Sequence, residues 1–120
     1  MKIKAVITGP VVQGVGYRVL LMHQAIIEGI ERFAALNVSD DTVVVLAEAD
    51  DEKISSLKEY LLTRRPVHAQ ISEVRIEDFT GKVMTIQDGI LLNREEMMDK
   101  ILSLLRSMDK TLEKMVGQEN

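Results

Sequence analysis

The chain has no cysteine and no tryptophan, only two prolines, and just two tyrosines and two phenylalanines in 120 residues. Without thiols there is no disulfide framework and no thiolate metal site, an economy compatible with the cytoplasmic location expected here. Four aromatic rings leave little material for stacking nucleic-acid bases. A formal net charge of −4 also argues against nucleic acid as a general partner. No apolar run approaches the roughly 20 residues that would span a bilayer, so no membrane partner is expected. The N-terminal MKIKAVITG lacks the long apolar stretch and small-residue cleavage site of a signal peptide. What remains, 46% hydrophobic and 28% charged residues, describes a globular protein with enough chain for one core.

Glycine is concentrated where it has consequences. Gly9 to Arg18 reads GPVVQGVGYR, between a short apolar run and a strongly apolar segment. This is the pattern strand, glycine-rich loop, helix. Gly9, Gly14 and Gly16 let the backbone take positive φ and turn its amides toward one point. Such a loop feeding a helix N-terminus makes an anion site, since unpaired amides and the helix dipole both favour negative charge. Arg18 stands where the helix begins, and a guanidinium there can grip a phosphate or carboxylate through two parallel hydrogen bonds. Two familiar phosphate motifs are excluded. Val15 and Gly16 occupy the Lys and Ser/Thr positions of a Walker loop, and Val19 replaces the third glycine of a dinucleotide fingerprint. An ordinary strand-to-helix turn without ligand remains the plain alternative.

Along the chain, Ile3, Ala5 and Ile7 alternate with Lys2, Lys4 and Thr8 as in a half-buried strand. After the loop, Val19, Leu20, Met22, His23, Ile26, Ile27 and Ile30 recur at helical steps, ending near Gly29. His23 reads as a surface or core-edge residue. Phe33 to Val38 and Thr42 to Ala49 predict two strands joined by a turn at Asp40–Asp41. Asp50 or Asp51 caps a second helix with Ile54, Leu57, Tyr60 and Leu61 inward, Arg64 and Arg65 near its end, and Pro66 as its stop. Val67 to Asp78 predicts a fourth strand, and Val83 to Ile86 a short fifth. The order β, α, β, β, α, β is the ferredoxin-like split βαβ arrangement, an α+β fold with both helices on one face of an antiparallel sheet.

The tail reads differently. Asn93 followed by Glu96 suggests a capping box, and Met98, Ile101, Leu105, Met108, Leu112 and Met115 step as a heptad seam, broadened by Met97, Leu102, Leu104 and Val116. The expectation is a C-terminal helical extension over 89–120 beside a domain over 1–88. The helix either covers the open face of its own sheet, pairs with a second copy as a coiled-coil homodimer, or docks a partner protein. Its methionines read as packing rather than metal ligands.

The string VQGVGYR at 12–18 resembles the acylphosphatase signature, a strand followed by GxVQGVxFR. Gln13, Gly14, Val15 and Arg18 match, and Tyr17 replaces the usual Phe. One extra residue precedes VQG, with both Pro10 and Val11 where the family has one. The family's second motif, Asn, three residues, Gly, one residue, Val, falls on Asn37, Asp41 and Val43, with Asp41 for Gly. The aromatic before it, Phe33, is displaced by one position. RRPVHAQISEV is also similar to the family's segment there, and the resemblance covers roughly residues 2–87.

That resemblance implies a ferredoxin-like fold and hydrolysis of carboxyl–phosphate anhydrides to carboxylate and phosphate. It implies phosphate binding by Arg18 and the amides of Val12, Gln13, Gly14, Val15, Gly16, Tyr17 and Arg18, and a water held by Asn37. The substrate is then a small-molecule acyl phosphate, with no cofactor and no metal. Positioning and charge stabilisation supply most of the rate for a substrate whose leaving group is already good. No rival set appears. His23 and His68 lack ligand spacing, and Asp40/Asp41 and Asp50/Asp51 sit at turn and cap positions. The alternative readings are a non-catalytic acylphosphatase-like module that binds an anion or a protein, and an assembly domain in which the tail matters most.

Overall fold

Alternation decides the sheet. In a computed structural model, which describes residues 1–14, 16–94 and 106, the strands are β1 (Lys2–Thr8), β2 (Arg32–Ser39), β3 (Thr42–Glu48) and β4 (Glu73–Asp78). The helices α1 (Tyr17–Glu28) and α2 (Asp51–Thr63) fall between them, giving β1-α1-β2-β3-α2-β4. The four strands form one antiparallel sheet in the order β2-β3-β1-β4. Residues 86–94 and Arg106 are helical, so a C-terminal helix is present. Two compact units divide the chain, Met1–Ile90 and Leu91–Asn120, and the loop and strands considered below lie in the first. The heptad seam from Met98 to Met115 lies outside the described residues, apart from Arg106 within its span.

The register shows which face is buried. Asn37, Val43, Ile7 and Val74 form one row across the sheet, and Ala35, Val45, Ala5 and Ile76 the next row on the same side. That face meets Tyr17, Leu21 and Ala25 of α1 and Ile54, Leu57 and Leu61 of α2 in a single core. Burying each of these Leu or Ile side chains contributes roughly 1.5–3 kcal/mol. An exposed pair such as Lys4–Glu77, at 4.0 Å, contributes at most about 1 kcal/mol. The helices are therefore held on the sheet by apolar contact rather than by surface charge.

Several expectations are corrected in detail. α1 starts at Tyr17 and turns Tyr17, Leu21, Met22 and Ala25 inward, while Val19, Ile26 and Ile27 are exposed. Steps of four from Tyr17 through Leu21 to Ala25 set the buried line, and small Ala25 lets the helix approach the sheet. β4 begins at Glu73, because residues 67–68 turn and Gln70 is committed to a bridge with Val11. The fifth strand shrinks to one bridge, Arg32 to Thr85. It still covers the β2 edge: Phe33 N–H donates to Met84 O at 3.1 Å and Ile86 N–H to Glu31 O at 2.8 Å. Asn93 is not a helix cap, since the chain is helical from residue 86. Thr85 opens that helix instead, its hydroxyl accepting from Asp88 N–H at 3.3 Å. Among the described residues no helix is long and apolar enough to cross a membrane.

Candidate active site

The loop after β1 is stitched to the strands on both sides of it. Gly9 N–H donates to Asp41 O at 3.0 Å, in the β2–β3 turn. Two residues on, Val11 and Gln70 exchange N–H to O bonds of 3.3 and 2.7 Å. Gly9 is a glycine because the backbone there leaves no room: a Cβ would stand 2.7 Å from Ile71 Cα. Val12 then dips into the core, 1% exposed, and anchors the start of the cradle.

Beyond Val12 the loop turns outward. Gly14 and Gly16 have φ of 74° and 77°, with nothing within 4 Å of where a Cβ would sit. They are required for their left-handed backbone, not for space. Among the described residues, the amides of Val12, Gly14, Gly16 and Tyr17 have no hydrogen-bond partner. Gly16 is the N-cap of α1, with no side-chain cap and no acid in the first turn. Unpaired amides and the positive end of the helix dipole thus meet at one place, an arrangement that attracts an anion. Arg18 is the second residue of that helix and is half-buried. Val15 lies outside the described residues.

Gln13 behaves differently from its neighbours. Its Nε2 donates to Ser39 O and to Thr42 O, the latter at 3.3 Å. Both of its side-chain hydrogens are committed to the β2–β3 turn, which leaves the main-chain N–H for an anion. Sequence alone marked Gln13 as a loop residue and did not reveal this brace.

Asn37 stands across from the loop. It pairs with Val43, and through Val43 shares a row with Ile7, two residues before the loop begins. Ile7 and Val43 both face the helices, so Asn37 is on the helix side at the end of the sheet from which the loop leaves. Its Oδ1 is buried and has no donor. A buried carbonyl oxygen without a donor costs on the order of 1–3 kcal/mol, so a native chain keeps one only where something else supplies the proton. Just beyond it the register slips between Asn37 and Ser39, a bulge that leaves Val38 exposed.

Two further groups have shifted acidities. The hydroxyls of Ser39 and Thr42 donate to Asp41 and hold its carboxyl below the ordinary carboxylate value. Burial pushes the Tyr17 phenol above its ordinary value. The Arg65 guanidinium draws it partly back, close enough to act on the hydroxyl yet outside hydrogen-bond geometry. His23 and His68 are exposed, and no cluster of three metal-ligating side chains exists among the described residues. At the far end of the sheet a cleft of about 550 Å³ is lined by Ile26, Ile30, Ile86 and Ile90. Its arginine, Arg32, is occupied by Val83 O at 2.8 Å and by Glu48.

Comparison with known proteins agrees with this geometry. The acylphosphatase family model matches residues 3–88. An acylphosphatase of Deinococcus radiodurans is 38% identical over 74 residues, which cover 62% of this chain and 82% of that protein. The solved acylphosphatase of Coxiella burnetii is 26% identical with a TM-score of 0.58, covering 68% of this chain and 82% of that one. The Bacillus subtilis acylphosphatase structure shares the fold with a TM-score of 0.57 at 21% identity, covering 68% and 89%. With its sheet order, its loop and the matched span all in agreement, the chain belongs to the acylphosphatase family.

Proposed function

We propose that this chain hydrolyses an acyl phosphate at the open end of α1, with Arg18 and Asn37 as its catalytic residues. The observation that carries the reading is the buried, donorless Asn37 Oδ1 on the same face and at the same end of the sheet as the loop. The phosphoryl group sits against the amides from Val12 to Arg18, and the Arg18 guanidinium contacts its equatorial oxygens, where charge spreads in the transition state. A water donates one hydrogen to Asn37 Oδ1, which aims its lone pair at phosphorus. As the new P–O bond forms, the bond from phosphorus to the acyl oxygen breaks and the carboxylate leaves. Asn cannot take a proton at neutral pH. The water's proton therefore passes to a phosphate oxygen, and Asn37 acts by orientation.

The test is hydrolysis of benzoyl phosphate. Arg18→Ala is expected to lower kcat/KM by about 10²–10³-fold, the range found on removing one donor to a developing charge. Asn37→Ala is expected to lower kcat with little change in inhibition by inorganic phosphate. Wild-type protein with no turnover above background would sink the enzymatic reading. Phosphate binding without turnover would favour the anion-binding alternative. Residues 1–88 form the catalytic domain in this reading and 89–120 an extension. The extension's heptad seam supports a homodimer built through that helix.

A further inference from the structure

The β2–β3 turn is where the anion loop and the Asn37 strand are tied together. Asp41 Oδ1 accepts from both the Ser39 and the Thr42 hydroxyl, each at 3.0 Å. The Asp41 main-chain oxygen accepts from Gly9 N–H at 3.0 Å. Gln13 reaches the Ser39 and Thr42 carbonyls from the loop side. The carboxylate thus grips both residues whose carbonyls receive Gln13, while its own carbonyl receives Gly9. Asn37 lies two residues before Ser39, across the register slip. A bulge re-aims the side chains beside it, so the direction of Asn37 depends on how firmly Ser39 is held. The family frame has glycine where this chain has Asp41, and glycine has no side chain with which to make these bonds.

We propose that Asp41 is a positioning residue: its carboxylate oxygen locks the turn, and through the turn it fixes the Asn37 carboxamide relative to the anion loop. The inference rests on the acylphosphatase reading for its kinetic consequence, though not for its geometry. Asp41 touches neither substrate nor water in this scheme. Its bonds are exposed and compete with solvent, so the effect is modest, about three- to tenfold in kcat. Both bonds fall on one oxygen, and an asparagine retains that oxygen.

The experiment compares wild type, Asp41→Ala, Asp41→Asn, Asn37→Ala and the Asp41→Ala/Asn37→Ala double variant with benzoyl phosphate. Inhibition by inorganic phosphate and the ¹⁵N-resolved Asn37 side-chain amide resonance are followed in parallel. D41A is expected to lower kcat about three- to tenfold, leave phosphate inhibition within about twofold, and shift the Asn37 resonance. D41N restores kcat and resonance. In the N37A background D41A costs nothing more, because the two act as one unit. Additive losses, a parallel fall in phosphate affinity, an unshifted Asn37 resonance in D41A, or failure of D41N to rescue would each overturn the proposal. Wild-type turnover and its loss in Arg18→Ala test the underlying enzymatic reading separately. The resonance decides the positioning role even in a chain that does not turn over.

Discussion

The two helices on the sheet begin in opposite ways. α2 is closed by its own chain: Asp50 in an extended conformation accepts from Lys53 N–H at 2.9 Å, and Asp51 and Glu52 fill the first turn with negative charge. α1 is left open: its N-cap is left-handed Gly16, no side chain caps it, no acid follows, and Arg18 is its second residue. Both ends carry the same partial charge from the same peptide dipoles. At α2 that charge is offset by the chain's own acids, and at α1 no side-chain cap or first-turn acid offsets it. Three or four residues thus decide whether a helix start is closed by its own chain or left open. The difference is local chemistry, not fold.

Moving an acid from one end to the other should break the contrast. Gly16→Asp gives α1 its own anion beside Arg18. It is expected to weaken inhibition by inorganic phosphate at least about tenfold, since it places a fixed charge against the same amides. Gly16→Asn is the control, because both substitutions bear the left-handed backbone, which costs roughly 1–2 kcal/mol, but only one brings charge. Equal phosphate inhibition constants for the two variants would show that the open helix end is not the anion seat. The reverse change, Asp50→Ala, should leave phosphate inhibition alone and cost about 1 kcal/mol of stability. For a domain of this size that is a fall of several degrees in Tm. Loss of phosphate binding in Asp50→Ala would mean that the two helix ends are coupled.

The open end was the more legible of the two in sequence. Glycines at 9, 14 and 16 ahead of Arg18 are chemically rare, and their spacing survives folding because backbone freedom is a property of the residue itself. Asn37 was legible by its frame, but its place on the helix side came only from the sheet register, which puts it in the row of Ile7 rather than on the outer face. The inward face of α1 is not legible in sequence. Val19, Ile26 and Ile27 are as apolar as Leu21, so periodicity had no polar face against which to choose a phase. The sheet chose Tyr17, Leu21 and Ala25. The Gln13 brace could not be read at all, because it joins residues 26 and 29 positions apart through carbonyls that every residue possesses. Thr85 is not legible as a cap because Val83 to Ile86 reads as a short strand, which places Thr85 inside it rather than at a helix start.

The smallest effect expected bears on Tyr17, the first helical residue at the open end, where the usual family residue is Phe. Its ring is 2% exposed and its hydroxyl has no hydrogen-bond partner, although Arg65 stands near. The ring's apolar burial would survive Tyr17→Phe, while the cost of the buried hydroxyl would vanish. The expected gain at neutral pH is about 0.5–1 kcal/mol, at the low end for an unpartnered polar group because Arg65 already offsets part of the cost. The alkaline behaviour carries the sharper signature. Burial raises the Tyr17 pKa, so above about pH 10 the unfolded chain releases a proton that the folded chain retains. The stability linked to this phenol is therefore full below that pH and is lost as pH rises through the raised folded value. Tyr17→Phe should flatten the fall measured by urea denaturation above pH 10, leaving the part due to Tyr60, whose pKa burial also raises. An unchanged alkaline slope, or a variant less stable at neutral pH, would mean that the hydroxyl is already satisfied by Arg65. The open end of α1 would then be braced by the end of α2.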